Sequence, residues 1–137
     1  MPGTEAYVDT SAFIALRERS DRYHALFEKL FSNPPLLVTS ALVIAEGHTW
    51  FLRRHGPERA FQFLDLLRRL GSTLTIHPFD PVELQSAARL TRKFGDQSLT
   101  LADAHGLTIM AERRIHACWS TDRHLGLTGV PLVIGTA

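Results

Sequence analysis

Four acidic residues stand at places where a carboxylate is out of keeping with its neighbours. Asp9 follows the strand-forming pair Tyr7-Val8 and precedes Thr10-Ser11, two residue types that open helices. Glu46 falls within the stripe that Leu42, Val43, Trp50 and the stem of Arg53 draw along one helical face. Asp103 shares a face with Leu99, Leu107 and Met110 by three- and four-residue spacing, and Asp122 ends an apolar run that closes in Ser120-Thr121. Carboxylates brought together repel one another and resist burial, so a cation must accompany them. Oxygen ligands without Cys or His select a hard divalent ion, Mg²⁺ or Mn²⁺, held by a few carboxylates, waters and phosphate oxygens. Two such ions about 4 Å apart can activate water and stabilise the leaving oxygen of a phosphodiester. The chemistry implied is that of a nuclease.

Each acid also has a plainer reading. Asp9 and Asp122 could serve as helix caps, Asp103 could sit at the positive end of its helix dipole, and Glu46 could face solvent beside Arg53 or Arg54. Asp96 is either an accessory acid or a turn residue after Gly95. The histidines lack metal-ligand spacing such as H-E-x-x-H; His48 and His55 read as a solvated helix face, and His105 lies close in sequence to Asp103, a proposed ligand.

The elements that must position these acids alternate. A strand at residues 7–8 leads into a helix carrying Phe13, Ile14 and Leu16, and Ser20-Asp21 offers a cap for a second helix marked by Tyr23, Leu26, Phe27, Leu30 and Phe31. Asn33-Pro34-Pro35 stops it, and a strand at 36–38 runs into the cap pair Thr39-Ser40. The pattern then predicts helices at 41–55, ending at Gly56, and at 57–70, a strand at 74–76, a turn at 77–81 and a helix at 82–92. After a loop at 95–98 follow a helix at 99–111 capped near Ser98 or Thr100, a strand at 115–120, a short helix at 123–127 and a last strand at 132–134. Short apolar strands alternating with helices predict an α/β domain with a central, mostly parallel sheet covered on both faces. Right-handed crossovers put every strand-to-helix junction on one edge, where Asp9, Glu46, Asp103 and Asp122 would share a pocket.

The 137 residues, 45% hydrophobic and 21% charged, fit a single domain over 1–137. Net charge is +1, yet all but Lys29 and Lys93 of the 15 basic residues are Arg, some in pairs such as Arg53-Arg54, Arg68-Arg69 and Arg113-Arg114. Arginine suits phosphate, while solvated helix faces explain the pairs equally well. Cys118 alone can build neither a disulfide within the chain nor a thiolate metal site, which fits a reducing cytoplasm. The absence of a secretory leader pattern or a long apolar segment predicts a soluble protein with no membrane role.

The chain resembles the PIN-domain family of metal-dependent ribonucleases, and most closely the VapC-like toxins of bacterial and archaeal toxin-antitoxin pairs. The resemblance covers nearly the whole chain and rests on Val8-Asp9-Thr10-Ser11-Ala12, on Thr39-Ser40 through Ala45-Glu46, on Leu101-Ala102-Asp103-Ala104, and on Ser120-Thr121-Asp122, in the family's order. It implies a PIN-like fold with Asp9, Glu46, Asp103 and Asp122 as metal-binding and catalytic acids, Asp9 and Asp103 central. It gives Ser11, Thr10 and Thr121 a part in ordering water, and it implies Mg²⁺ or Mn²⁺, RNA as substrate, a cognate antitoxin as partner and a homodimer. Two departures leave the ligands intact: Leu125 stands where many relatives carry an aromatic, and Gly47-His48 where longer apolar residues are common.

Basic candidates for RNA contact are Arg123, beside Asp122, and Arg113-Arg114. The second helix and residues 60–70 offer apolar surface for a dimer or an antitoxin, although core packing also accounts for most of it. Other readings are a non-catalytic α/β interaction module, and a PIN nuclease acting in RNA processing or on DNA. A phosphoacceptor receiver domain would need paired acids after the first strand and a lysine after the last major one, and this chain has neither.

Overall fold

The computed structural model describes residues 4–135. Four strands, β1 (Glu5–Val8), β2 (Leu36–Ser40), β3 (Leu74–His77) and β4 (Cys118–Trp119), form one sheet in the order β3-β2-β1-β4. All three pairings are parallel, with Tyr7 opposite Val38, Val8 opposite Trp119 and Ser40 opposite His77. Six helices accompany it: α1 (Thr10–Arg17), α2 (His24–Ser32), α3 (Ala41–His55), α4 (Pro57–Leu70), α5 (Pro81–Lys93) and α6 (Leu101–Glu112). None is long and apolar enough to cross a membrane.

Strand alternation divides the core. Ala6, Val8, Leu37 and Trp119 join a cluster with Phe13, Phe27, Phe51 and Phe63 from α1 to α4, whereas Tyr7, Val38 and Cys118 join Ala87, Ala104, Leu107 and Met110 from α5 and α6. The first cluster is rich in edge-on aromatic contacts, with Phe13 and Phe63 centroids 5.5 Å apart and Phe31 and Trp119 5.0 Å apart. Local signals set the helix ends. Ser40 Oγ accepts from Leu42 N at 3.0 Å to open α3, and Gly56, at φ 93°, closes it where a side chain would be strained. Asp80 accepts from Glu83 N to open α5. Of the two caps expected for α6, Thr100 is the one used, accepting from Asp103 N at 3.1 Å.

The expected strand at 132–134 does not form: Leu132 makes one isolated parallel bridge to Cys118, and the chain then turns, Gly135 N donating to Leu132 O at 3.0 Å with Gly135 at φ 84°. The strand expected over 115–120 shrinks to two residues. Ile115 N still bonds Met110 O at 2.9 Å as the chain leaves α6, so the ladder is joined only when Ala117 O accepts from Tyr7 N. The second helix starts at His24, because Asp21 is spent in a turn, its Oδ1 accepting from Tyr23 N. The apolar surplus expected on residues 60–70 is also smaller than the pattern suggests. Ala60 and Phe63 are buried, and Phe61 and Leu64, with Leu52 of α3, remain as exposed large side chains there.

Close packing explains one departure from the family pattern. A Cβ at Gly47 would lie 2.8 Å from Phe63 Cζ, so the glycine lets α4 approach α3. Gly106 is as tight: its Cβ would lie 2.9 Å from both Tyr7 and Leu125, two fully buried side chains. Gly106→Val is therefore expected to destabilise the fold by about 2 kcal/mol, measured by chemical denaturation.

Candidate metal centre

The strand ends decide where the acids go. β1 delivers Asp9 at its C-terminal end, and Thr39 Oγ1 donates to Val8 O at 2.6 Å to hold that end against β2. α3 carries Glu46 from the end of β2, α6 carries Asp103 in its first turn, and the chain leaving β4 supplies Ser120 and Asp122. Asp9 is 5% exposed and Asp103 8%, whereas Glu46 is exposed and Asp122 half-buried.

A serine clamp orients Asp9. Its Oδ2 accepts from Ser120 Oγ at 2.9 Å and from Ser11 Oγ at 3.1 Å. Ser11 Oγ in turn accepts from Thr121 N, and Ser120 Oγ from Asp122 N, both at 2.9 Å. Thr10 Oγ1 donates to Glu46 Oε1, tying the rim acid to the residue that follows Asp9. His124 stands between the other two acids, with Nδ1 3.0 Å from Asp122 Oδ1 and 3.8 Å from Asp103 Oδ2. One ligand atom from each of Asp103, Asp122 and His124 lies within 4.8 Å of the others.

The electrostatics are those of a crowded acidic site. Burial pushes the Asp9 carboxyl up to about 6; the Ser120 hydrogen bond and the Thr10 backbone N–H oppose this, while Asp103 and Glu46 add to it. Burial also raises Asp103, helped by Asp122 and then Glu46, against Thr100 and His124. A divalent cation would relieve both effects, and an all-carboxylate set with one adjacent imidazole suits Mg²⁺ or Mn²⁺. The residues present therefore fit such an ion.

Asp9, Glu46, Asp103 and Asp122 thus gather on one sheet edge, with Thr10, Ser11 and Thr121 among them. Arg123 begins the short 3₁₀ turn after Asp122. Arg113 lies elsewhere: its Nε and Nη2 reach Glu5 at 3.2 and 2.7 Å, at the start of β1, about 13 Å of strand from Asp9. Arg114 follows it and lines a separate cleft with Ile115, His116 and Pro131. Asp96 sits exposed in the turn at Gly95–Gln97, in agreement with its turn reading.

The sequence pattern did not single out the clamp role of Ser120 or the place of His124. The Asp-x-His spacing at 122–124 was the available signal for the latter. Beside Glu46, Thr49, Trp50, Arg53 and Arg54 line an open groove of about 460 Å³, with the Arg54 guanidinium 5.4 Å from the Trp50 ring centre.

Comparison with known proteins bears on the family and the fold. The PIN domain family model matches residues 6–129. The chain is 30% identical over 118 residues, 85% of each chain, to Ribonuclease VapC26 of Mycobacterium tuberculosis. Its fold is similar to that of Mycobacterium tuberculosis VapC20, described as a toxin that cleaves the sarcin-ricin loop, with a TM-score of 0.81 and 23% identity over 91% of this chain and 95% of that one. It is also similar to PAE2754 from Pyrobaculum aerophilum, with a TM-score of 0.65 and 23% identity over 96% and 90% of the two chains. A toxin-antitoxin complex from Klebsiella pneumoniae gives a TM-score of 0.62 and 21% identity over 93% and 95%.

Proposed function

The chain belongs to the PIN-domain family, and from that premise and the acidic pocket we propose that it is a Mg²⁺- or Mn²⁺-dependent endoribonuclease, the toxin of a VapBC-type pair acting in the cytoplasm. The observation that carries the reading is the gathering of two buried and two rim carboxylates at the C-terminal edge of one parallel sheet. When bound, the divalent ion would supply Lewis-acid chemistry at an RNA phosphodiester and its attacking water.

The chain's own residues supply the rest. Asp9 and Asp103 would hold the ion from inside, and Glu46 and Asp122 from the rim. The Ser11 and Ser120 hydroxyls fix the Asp9 carboxylate in one rotamer, and Thr10 does the same for Glu46. Thr121 contributes through its backbone N–H, which anchors Ser11.

The test is cleavage of a mixed pool of structured and single-stranded RNAs with Mg²⁺ or Mn²⁺, beside a chelator control. Metal-dependent fragments with defined ends are expected. Cleavage that persists in chelator would overturn the metal reading, and a wild-type protein that neither cleaves nor binds metal would leave a non-catalytic module.

RNA would approach over Arg123 and along the Trp50–Arg53–Arg54 groove beside Glu46, whose cations and aromatic face suit backbone phosphates and an unstacked base. Arg113, committed to Glu5 at the far edge, serves this reading poorly, as does Arg114 next to it. Arg123→Ala is expected to weaken RNA binding and to lower the salt slope by about one counterion. Binding isotherms at several salt concentrations would check this, and an unchanged slope would remove Arg123 from the path. The exposed Phe61, Leu64 and Leu52 are the surface we assign to a second copy of the chain or to the antitoxin.

A further inference from the structure

We propose that His77, Glu83 and His105 form a second cation site, of zinc type, beside the acidic pocket. Three elements bring them together: His77 ends β3, Glu83 lies in the first turn of α5, and His105 in the second turn of α6. Glu83 Oε1 is 2.6 Å from His77 Nε2 and 3.0 Å from His105 Nε2, and the three donor atoms lie within 4.8 Å of one another. Two imidazoles and one carboxylate are the donor set of three-ligand zinc centres, whose fourth position is left to solvent. In a tetrahedral shell such donors stand about 3.3 Å apart, so the two nitrogen-to-carboxylate spacings need to open by less than one ångström.

The surroundings favour an ion in two independent ways. First, His105 is held from behind: Ser40 Oγ lies 2.6 Å from its Nδ1, the Phe79 ring packs at 4.8 Å, and its side chain is fully buried with Nε2 facing Glu83. A hydrogen-bonded distal nitrogen is the usual support of a metal-ligating histidine. Second, Glu83 is a buried carboxylate whose ion-pair partners are both imidazoles. A buried carboxylate needs compensating charge, and a divalent ion held between it and the two imidazoles would supply it. The His77 side chain, 20% exposed, leaves a way in. The nitrogen-rich set favours Zn²⁺, whereas the mostly carboxylate pocket suits the harder Mg²⁺ or Mn²⁺.

The rival arrangement is metal-free, each imidazole donating its Nε2–H to Glu83. Titration of metal-stripped full-length protein with Co²⁺ and then Zn²⁺ separates the two. We expect the intense visible absorption of tetrahedral Co²⁺, saturating at one ion per chain, displaced by Zn²⁺ and retained in Asp9→Asn. His77→Ala, at the exposed corner, and Glu83→Gln should each abolish the band and weaken Zn²⁺ binding by more than about 100-fold, because loss even of a group behind a ligand costs roughly 10–100-fold. Circular dichroism of both variants checks that they remain folded. Wild-type protein showing only the weak bands of octahedral Co²⁺, or Zn²⁺ affinity unchanged in Glu83→Gln, would overturn the site and leave the three side chains as a hydrogen-bonded lock on α6.

Discussion

Asp103→Asn and Asp9→Asn are each expected to lower the rate of RNA cleavage by about 1000-fold or more while leaving the fold intact. Removal of a single preorganised electrostatic group from an active site costs about 100- to 1000-fold, and these two residues combine that role with holding the ion. Asparagine keeps the size of the side chain and one acceptor oxygen, so Ser11 and Ser120 can still bind residue 9 and Thr100 can still cap α6. The loss should therefore appear in turnover and in Mn²⁺ affinity, with little change in circular dichroism. Single-turnover cleavage of a defined RNA is the measurement. A variant retaining a tenth of wild-type activity would show that the other acids carry the ion without it. Glu46→Gln, at the exposed rim, should lose less.

The same substitution at Asp9 is expected to stabilise the metal-free protein. The folded-state carboxyl is pushed up to about 6, from an ordinary value of 3.8, chiefly by burial. Below pH about 4 both the folded and unfolded states hold this proton, and no penalty exists. Between about 4 and 6 the unfolded chain ionises first, so the native state loses stability as pH rises, by about 3 kcal/mol in all, and the loss stays constant above that window. Asp9→Asn removes the charge and hence the penalty. In chelator at pH 7.5 the variant should melt several degrees above wild type, the gap closing at pH 4. Saturating Mg²⁺ or Mn²⁺ should raise the wild type alone, by about 2.7 kcal/mol at a free ion concentration 100 times the dissociation constant. A variant less stable than wild type in chelator at neutral pH would contradict the account of a carboxylate poised for a cation.

Much of the architecture was legible because it rests on local rules. Ser40 and Thr100 cap helices as their residue types predict, and the apolar runs of β1 and β2 become strands buried on both faces. The four acids were legible because each interrupts an apolar pattern or ends a strand, and parallel topology then brings strand ends together. What escaped was set by contacts between distant residues. Glu83 and His105 are 22 residues apart with no spacing motif, and only the packing of α5 on α6 makes them neighbours. Arg113 reads as a free basic pair with Arg114 until the parallel strand places Glu5 beneath it. The expected strand at 132–134 fails for a local reason that was visible, the turn residue Gly135, set against an apolar composition that outweighed it.

That failed strand has a consequence for self-association. The backbone that would have extended the sheet folds over β4 instead: Cys118 N donates to Pro131 O, and Cys118 O accepts from Val133 N at 2.8 Å. The β4 margin is thereby shielded from recruiting a strand of another molecule. At the opposite margin β3 has a ladder partner on one side only, and Ile76 there is 47% exposed. Peeling the segment after Pro131 away would leave the sheet open at both margins, the condition under which strand-to-strand stacking propagates instead of ending at a pair.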